Sequence, residues 1–120
     1  MDMAIPVTVM VSLPGRPPAP VESAVYFAVA ECLANIGKHA DAGRAWIDVT
    51  HADDALHVEI GDDGRGGASP DAGTGLRGVI RRLSAFDGTL SMASPEGGPT
   101  VVAIDLPCSL TTDKAGRRPN

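Results

Sequence analysis

The sequence predicts an α+β fold: a two-layer α/β sandwich in which helices cover one face of a mixed, mostly antiparallel sheet. Three observations lead there. Short runs alternating apolar and polar residues recur along the chain. Two helical stretches with apolar residues three and four apart interrupt them, and segments rich in glycine or proline separate the elements. At 120 residues the chain has the length of one domain with one core.

The elements follow in order. AIPVTVMVSL (4–13) is rich in Val and roughly alternates, which reads as a strand after Pro6. LPGRPPAP (13–20) is a stiff connector that cannot be helical. A helix is expected from about Val21 to Lys38 or His39, because Val21, Val25, Ala28, Cys32 and Ile36 form one stripe. ADAG (40–43) ends it, with Gly43 as a left-handed cap. RAWIDVT (44–50) and ALHVEIG (55–61) form an antiparallel hairpin turning at Asp53-Asp54. The glycine-rich stretch 61–78 is a loop, and a second helix runs from about Leu76 to Phe86 with Leu76, Val79, Ile80 and Leu83 inward. GTLSMAS (88–94) and TVVAIDLP (100–107) close the set as two strands around SPEGGP. The core is expected over residues 5–107, with 108–120 a polar, frayed tail, all within a single domain.

Composition removes several classes of function. The formal net charge of −5 argues against a nucleic-acid partner, since phosphate backbones are bound by clustered Lys and Arg. No apolar run approaches the ~20 residues of a membrane span, and the N-terminus lacks a signal peptide's basic start. A cytoplasmic segment without direct membrane contact of its own is expected, compatible with the cytoplasmic portion of a membrane-anchored protein. Cys32 and Cys108 lack metal-ligand spacing and read as reduced core thiols.

Three clusters carry chemistry. On the first helix Glu31, Asn35 and Lys38 fall within about 60° of arc, away from the apolar stripe. A carboxylate, an amide oxygen and an ammonium so placed can assemble a magnesium–phosphate site, because Mg²⁺ takes one or two protein oxygens plus phosphates and water. An exposed Glu–Lys pair would have the same spacing. GDDGRGG (61–67) follows a strand directly; Asp62 can accept a hydrogen bond from an exocyclic amine, and Gly64 and Gly66 can bring the backbone close to a flat ligand. GTGLRG (73–78) opens a helix whose exposed N–H groups favour an anion. It is neither a dinucleotide fingerprint nor a Walker A loop, since no βαβ unit surrounds it and no Gly-Lys-Ser/Thr is present.

In order, AECLANIGKHADA, VEIGDDGRGG and GTGLRGVIRRLSAFDGTLSMASPEGGPTVVAIDLP resemble the ATP-binding domain of two-component sensor histidine kinases. That domain belongs to the superfamily that includes gyrase-type topoisomerases, heat-shock chaperone ATPases and mismatch-repair ATPases. The resemblance spans roughly residues 5–107. Only Gly67 to Ala72 separate the two glycine boxes, so the nucleotide lid is short, and GLRGVIRRLSAFDGTL is similar to the nitrate-sensor-like subclass. There the usual wording is closer to GLRG-x-x-E-R; Arg81-Arg82 is read as a surface change.

The resemblance implies a histidine kinase-type ATPase fold and a Mg²⁺–ATP site. It makes Asn35 the metal ligand and Glu31 a catalytic partner that orders the metal's water or assists as a base. Lys38 and His39 lie beside the phosphates, and Asp62 holds the adenine amino group. Gly64 and Gly66 let the ring lie against backbone. Gly73, Thr74, Gly75 and Gly78 shape the lid and the phosphate-facing helix start, with Leu76 packed beneath and Arg77 in reach of phosphate. Thr100 supports the adenine-binding Asp62 carboxylate through water, although Gly98-Pro99-Thr100 departs from the family's Gly-Gly-Thr.

The implied partners are a histidine-bearing dimerisation domain and a downstream response regulator. No helix pair bearing a phosphoacceptor histidine is legible, because His51 and His57 sit on the hairpin. The chain therefore reads as a catalytic fragment that binds Mg²⁺–ATP and turns it over poorly alone. Two rivals share these residues: a stand-alone serine kinase of the anti-sigma-factor type, and a nucleotide-binding pseudokinase module.

Overall fold

Five strands and two helices follow one another as β1 (Val7–Ser12), α1 (Ala19–Asn35), β2 (Ala45–Ala52), β3 (Ala55–Asp62), α2 (Leu76–Ser84), β4 (Thr89–Ala93) and β5 (Thr100–Pro107). The computed structural model describes residues 5–36, 42–67 and 75–111. The strands form one sheet in the order β1-β2-β3-β5-β4. The β1–β2 pair is parallel, joined through α1, and the other three pairs are antiparallel. This is the mixed, mostly antiparallel α+β sandwich that the alternating runs predict.

Strand parity decides what the sheet buries. Leu56, Val58 and Ile60 on β3 stand opposite Leu106, Ile104 and Val102 on β5, and all six are buried. With Ala45 and Ile47 of β2 they meet Val21, Ala24, Ala28 and Cys32 of α1 and Leu76, Val79 and Leu83 of α2 in one core. The intervening residues lie on the other face, where His57 pairs with Asp105 and Glu59 accepts a 2.8 Å bond from Trp46 Nε1. Gly61 leaves the space that the Trp46 ring fills across the β2–β3 pair. The hairpin turns at Asp53-Asp54, both with positive φ (55° and 57°), as a two-residue turn of matching twist requires.

Several expectations are corrected. Helix α1 starts at Ala19, before Val21, because Pro20 in its first turn has no N–H to lose there. Gly43 is not left-handed; its N–H donates instead to Asp63 Oδ1 at 2.8 Å. Ile80 lies at the rim of the apolar arc and is 39% exposed. Strand β1 is exposed along its whole length, although three valines and a methionine occupy it. Residues 108–111, expected in the frayed tail, are tied down: Cys108 N–H donates to Asp54 O, and Thr111 exchanges backbone bonds of 2.9 Å with Arg16. Cys32 is buried and Cys108 half-buried, both as free thiols. Burial, then the neighbouring Glu31 carboxylate, pushes the Cys32 thiol up to about 11, which leaves it a poor nucleophile.

Candidate functional site

Asp62 ends β3 on the face that carries Leu56, Val58 and Ile60, so the strand's pleat turns a carboxylate inward where three aliphatic residues precede it. It is 1% exposed. Its Oδ1 accepts the Gly64 N–H at 2.7 Å, and its other oxygen has no protein donor among the described residues. Burial pushes the carboxyl above the usual carboxylate range; the Gly64 N–H pulls it back and the Asp63 charge adds to the rise. A buried carboxylate with a free oxygen is an acceptor waiting for a donor. Thr100 stands directly opposite, in register on β5, and its Oγ1 lies 2.6 Å from Ser94 Oγ.

The next residue turns the other way. Asp63 Oδ1 accepts the N–H groups of Gly43 (2.8 Å) and Arg44 (3.0 Å), and these amides hold its carboxyl below the usual range. The tandem thus divides its work: Asp62 faces inward and Asp63 fastens the entry of β2. Composition alone cannot separate the two.

The glycines after β3 serve the chain first. Gly67 N–H donates to Ser94 O (2.9 Å) and Gly97 N–H to Arg65 O (2.8 Å), which clamps 65–67 onto the 94–98 turn. A Cβ on Gly66, at φ +70°, would run into the Pro95 carbonyl, and one on Gly98 into the Gly64 carbonyl. Glycine at 66 is therefore required by backbone packing within the protein.

The helices bring a second group together. Glu31 and Asn35, both half-buried, occupy the last turns of α1. The Glu31 carboxylate lies where a Cβ on Gly75 would be, and Gly75 is the left-handed N-cap (φ +82°) of α2. Leu76 is buried beneath this start, and the Gly78 N–H bonds to Gly75 O at 3.2 Å. One turn back on α1, Phe27 packs under the Arg82 guanidinium, 4.0 Å from the ring centre. Arg82, read from sequence as a surface change, thus bonds the two helices.

Two clusters therefore stand in the structure: Asp62, Gly64, Thr100 and Ser94 at the ends of β3, β4 and β5, and Glu31, Gly75 and Leu76 where the helices meet. No hydrogen bond or ion pair among the described residues joins Asn35 to Asp62. Lys38, His39, Gly73 and Thr74 lie outside the described residues. No group of three His, Cys, Asp or Glu side chains is placed to hold a metal among the described residues. The donor set at the end of α1 is one amide and one carboxylate, which suits a hard cation that takes its remaining ligands from phosphate and water. No helix is long and apolar enough to cross a membrane among the described residues.

Residues 21–110 match the family described as histidine kinase-, DNA gyrase B- and HSP90-like ATPases. The chain is 32% identical over 97 residues to the sensor histidine kinase YxjM of Bacillus subtilis, covering 81% of this chain and 24% of that protein. It is 39% identical over 79 residues to the signal transduction histidine-protein kinase/phosphatase UhpB of Salmonella typhimurium, covering 64% of this chain and 15% of that one. The chain thus spans a quarter or less of the length of these relatives. Among solved structures, the blue-light activated histidine kinase of Erythrobacter litoralis superposes with a TM-score of 0.73 at 24% identity, over 88% of this chain and 36% of that one. The histidine kinase AdeS of Acinetobacter baumannii does so with a TM-score of 0.62 at 20% identity, over 84% and 54%. These two likenesses establish the fold.

Proposed function

The chain belongs to the family of histidine kinase-, DNA gyrase B- and HSP90-like ATPases, and from that premise we propose that it is the ATP-binding catalytic module of a sensor histidine kinase. In this reading it delivers the γ-phosphoryl group of ATP to a histidine on a separate dimerisation domain, from which a response regulator is phosphorylated. The observation that carries the reading is the buried Asp62 carboxylate, which keeps one oxygen without a donor among the described residues on the core face of β3. An adenine amino group supplies that donor; guanine presents a carbonyl at the same place and would leave two acceptors facing each other.

Thr100, across from Asp62 and held by Ser94, supports the same edge of the base. Asn35 supplies the amide oxygen for a magnesium ion, and Glu31 orders the water beside it. Lys38 and His39 neutralise phosphate charge, and Gly73, Thr74, Gly75 and Gly78 shape the approach to it. Magnesium, when bound, spreads the charge of the phosphates as the phosphoryl group leaves. The chain's own contribution is to grip the base at one end and to present the phosphates at the other.

The test has two parts. Titration calorimetry with ATP and GTP, with and without Mg²⁺, should show ATP bound at least tenfold more tightly and its binding weakened by chelation. Mixing the domain with the dimerisation helices of its own full-length protein and labelled ATP should then yield phosphohistidine. ATP binding without phosphohistidine would overturn the kinase assignment, and phosphoserine on an anti-anti-sigma partner would replace it.

A further inference from the structure

We infer that Glu31 is a positioning residue: its carboxylate fills the space left by the missing side chain of Gly75 and so fixes the first turn of α2 against α1. Two independent observations meet here. The Glu31 Oε1 atom lies where a Gly75 Cβ would stand, so any other residue at 75 would push the carboxylate away. The start of α2 also has no side-chain cap and no acidic residue in its first turn. The positive end of the helix dipole is left there, and the Glu31 carboxylate of the neighbouring helix lies beside it.

The rest of α2 fits this role. Two arginines, Arg81 and Arg82, sit in its last turn, and Arg82 rests on Phe27. Phe27 and Glu31 are one turn apart on α1, so a single side of α1 grips both ends of α2. Ala24, on the same side, is buried with no bulk to hold the helices apart. Glycine at 75 is thus selected twice, by its positive φ and by the carboxylate above it. Since Gly75 ends the segment that the nucleotide reading assigns to the phosphates, the placement of α2 by Glu31 sets where that segment meets the site.

A double-mutant cycle tests this with Glu31→Ala, Gly75→Ala and both together. The readouts are the thermal midpoint, amide exchange at Leu76–Val79, and affinity for a fluorescent ATP analogue. Glu31→Ala should lower the midpoint by about 4 °C, speed exchange in the first turn of α2 and weaken the analogue several-fold. Gly75→Ala carries backbone strain in either background, so the strain cancels in the cycle; its remaining cost should vanish once Glu31 is gone. Glu31→Gln keeps the shape without the charge and should restore part of the midpoint and of the first-turn protection that Glu31→Ala loses.

Fully additive costs would overturn the inference, as would Glu31→Gln behaving like Glu31→Ala. So would a lower midpoint with unchanged analogue affinity, which would make Glu31 structural only. Should the parent chain fail to bind the analogue, the ATP reading fails, while coupling in midpoint and exchange still decides the contact between Glu31 and Gly75.

Discussion

A carboxylate on the core face of a strand is costly unless something donates to it, and Asp62 has one backbone donor for two oxygens. Its folded-state value is raised, so the fold favours the protonated form, and the stability this group contributes is lost as pH rises through that value. At neutral pH it is a standing penalty. Asp62→Asn should therefore raise the thermal midpoint at pH 7, with the gain shrinking as the pH falls through the raised folded value and gone below about 3.8, while ATP affinity drops about 10–100-fold. Thermal melts across pH, paired with calorimetry, check both halves. Gly66→Ala works in the opposite sense: positive φ and the Pro95 carbonyl together should cost about 3 kcal/mol in urea unfolding. At this scale the position of Asp62 at a strand's end was legible, whereas Thr100 was marked only by the resemblance, and the β3–β5 register that sets it opposite Asp62 is not local. The roles of Asp63, Ser94 and Gly66 were not legible, because each depends on backbone that arrives from elsewhere in the chain.

Elements were legible wherever their signals were local. The two-residue Asp53-Asp54 turn between alternating runs fixed the β2–β3 hairpin, and the three- and four-residue stripe placed the buried side of α1. Ile80 shows the limit of that method. Val79, Leu83, Leu76 and Ile80 span about 100° of arc in that order, so Ile80 falls at the edge, where packing decides exposure. On the open face of the sheet, His57 Nδ1 bonds to Asp105 of β5 and Nε2 bonds to Ala52 O. The Asp105 bond holds His57 above its ordinary 6.5, so this cross-strand contribution is complete below that value and fades as pH rises through the folded one. Asp105→Asn should bring the His57 titration midpoint back toward 6.5 in an NMR pH series.

For the molecule as a whole, the layer architecture was legible and the strand order was not. Alternating runs announce strands, but no local signal says that β5 pairs with β3 as well as β4, or that β1 lies parallel to β2. Those pairings bring together residues far apart in sequence and are decided by which faces must be buried together. Ligand linkage is the global test of the site. Mg²⁺–ATP at 100 times its dissociation constant should stabilise the fold by about 2.7 kcal/mol. EDTA should remove most of that gain, and Asn35→Ala should make the chain indifferent to the chelator.

The order β1-β2-β3-β5-β4 also governs how this chain comes into being. The final strand is an interior one, wedged between two that are synthesised before it, so a nascent chain emerging from the ribosome holds two unsealed margins until residue 107 is clear of the exit tunnel. Maturation must then wait for the last segment and proceed as one late, slow closure, a step at which a holding chaperone would find its client.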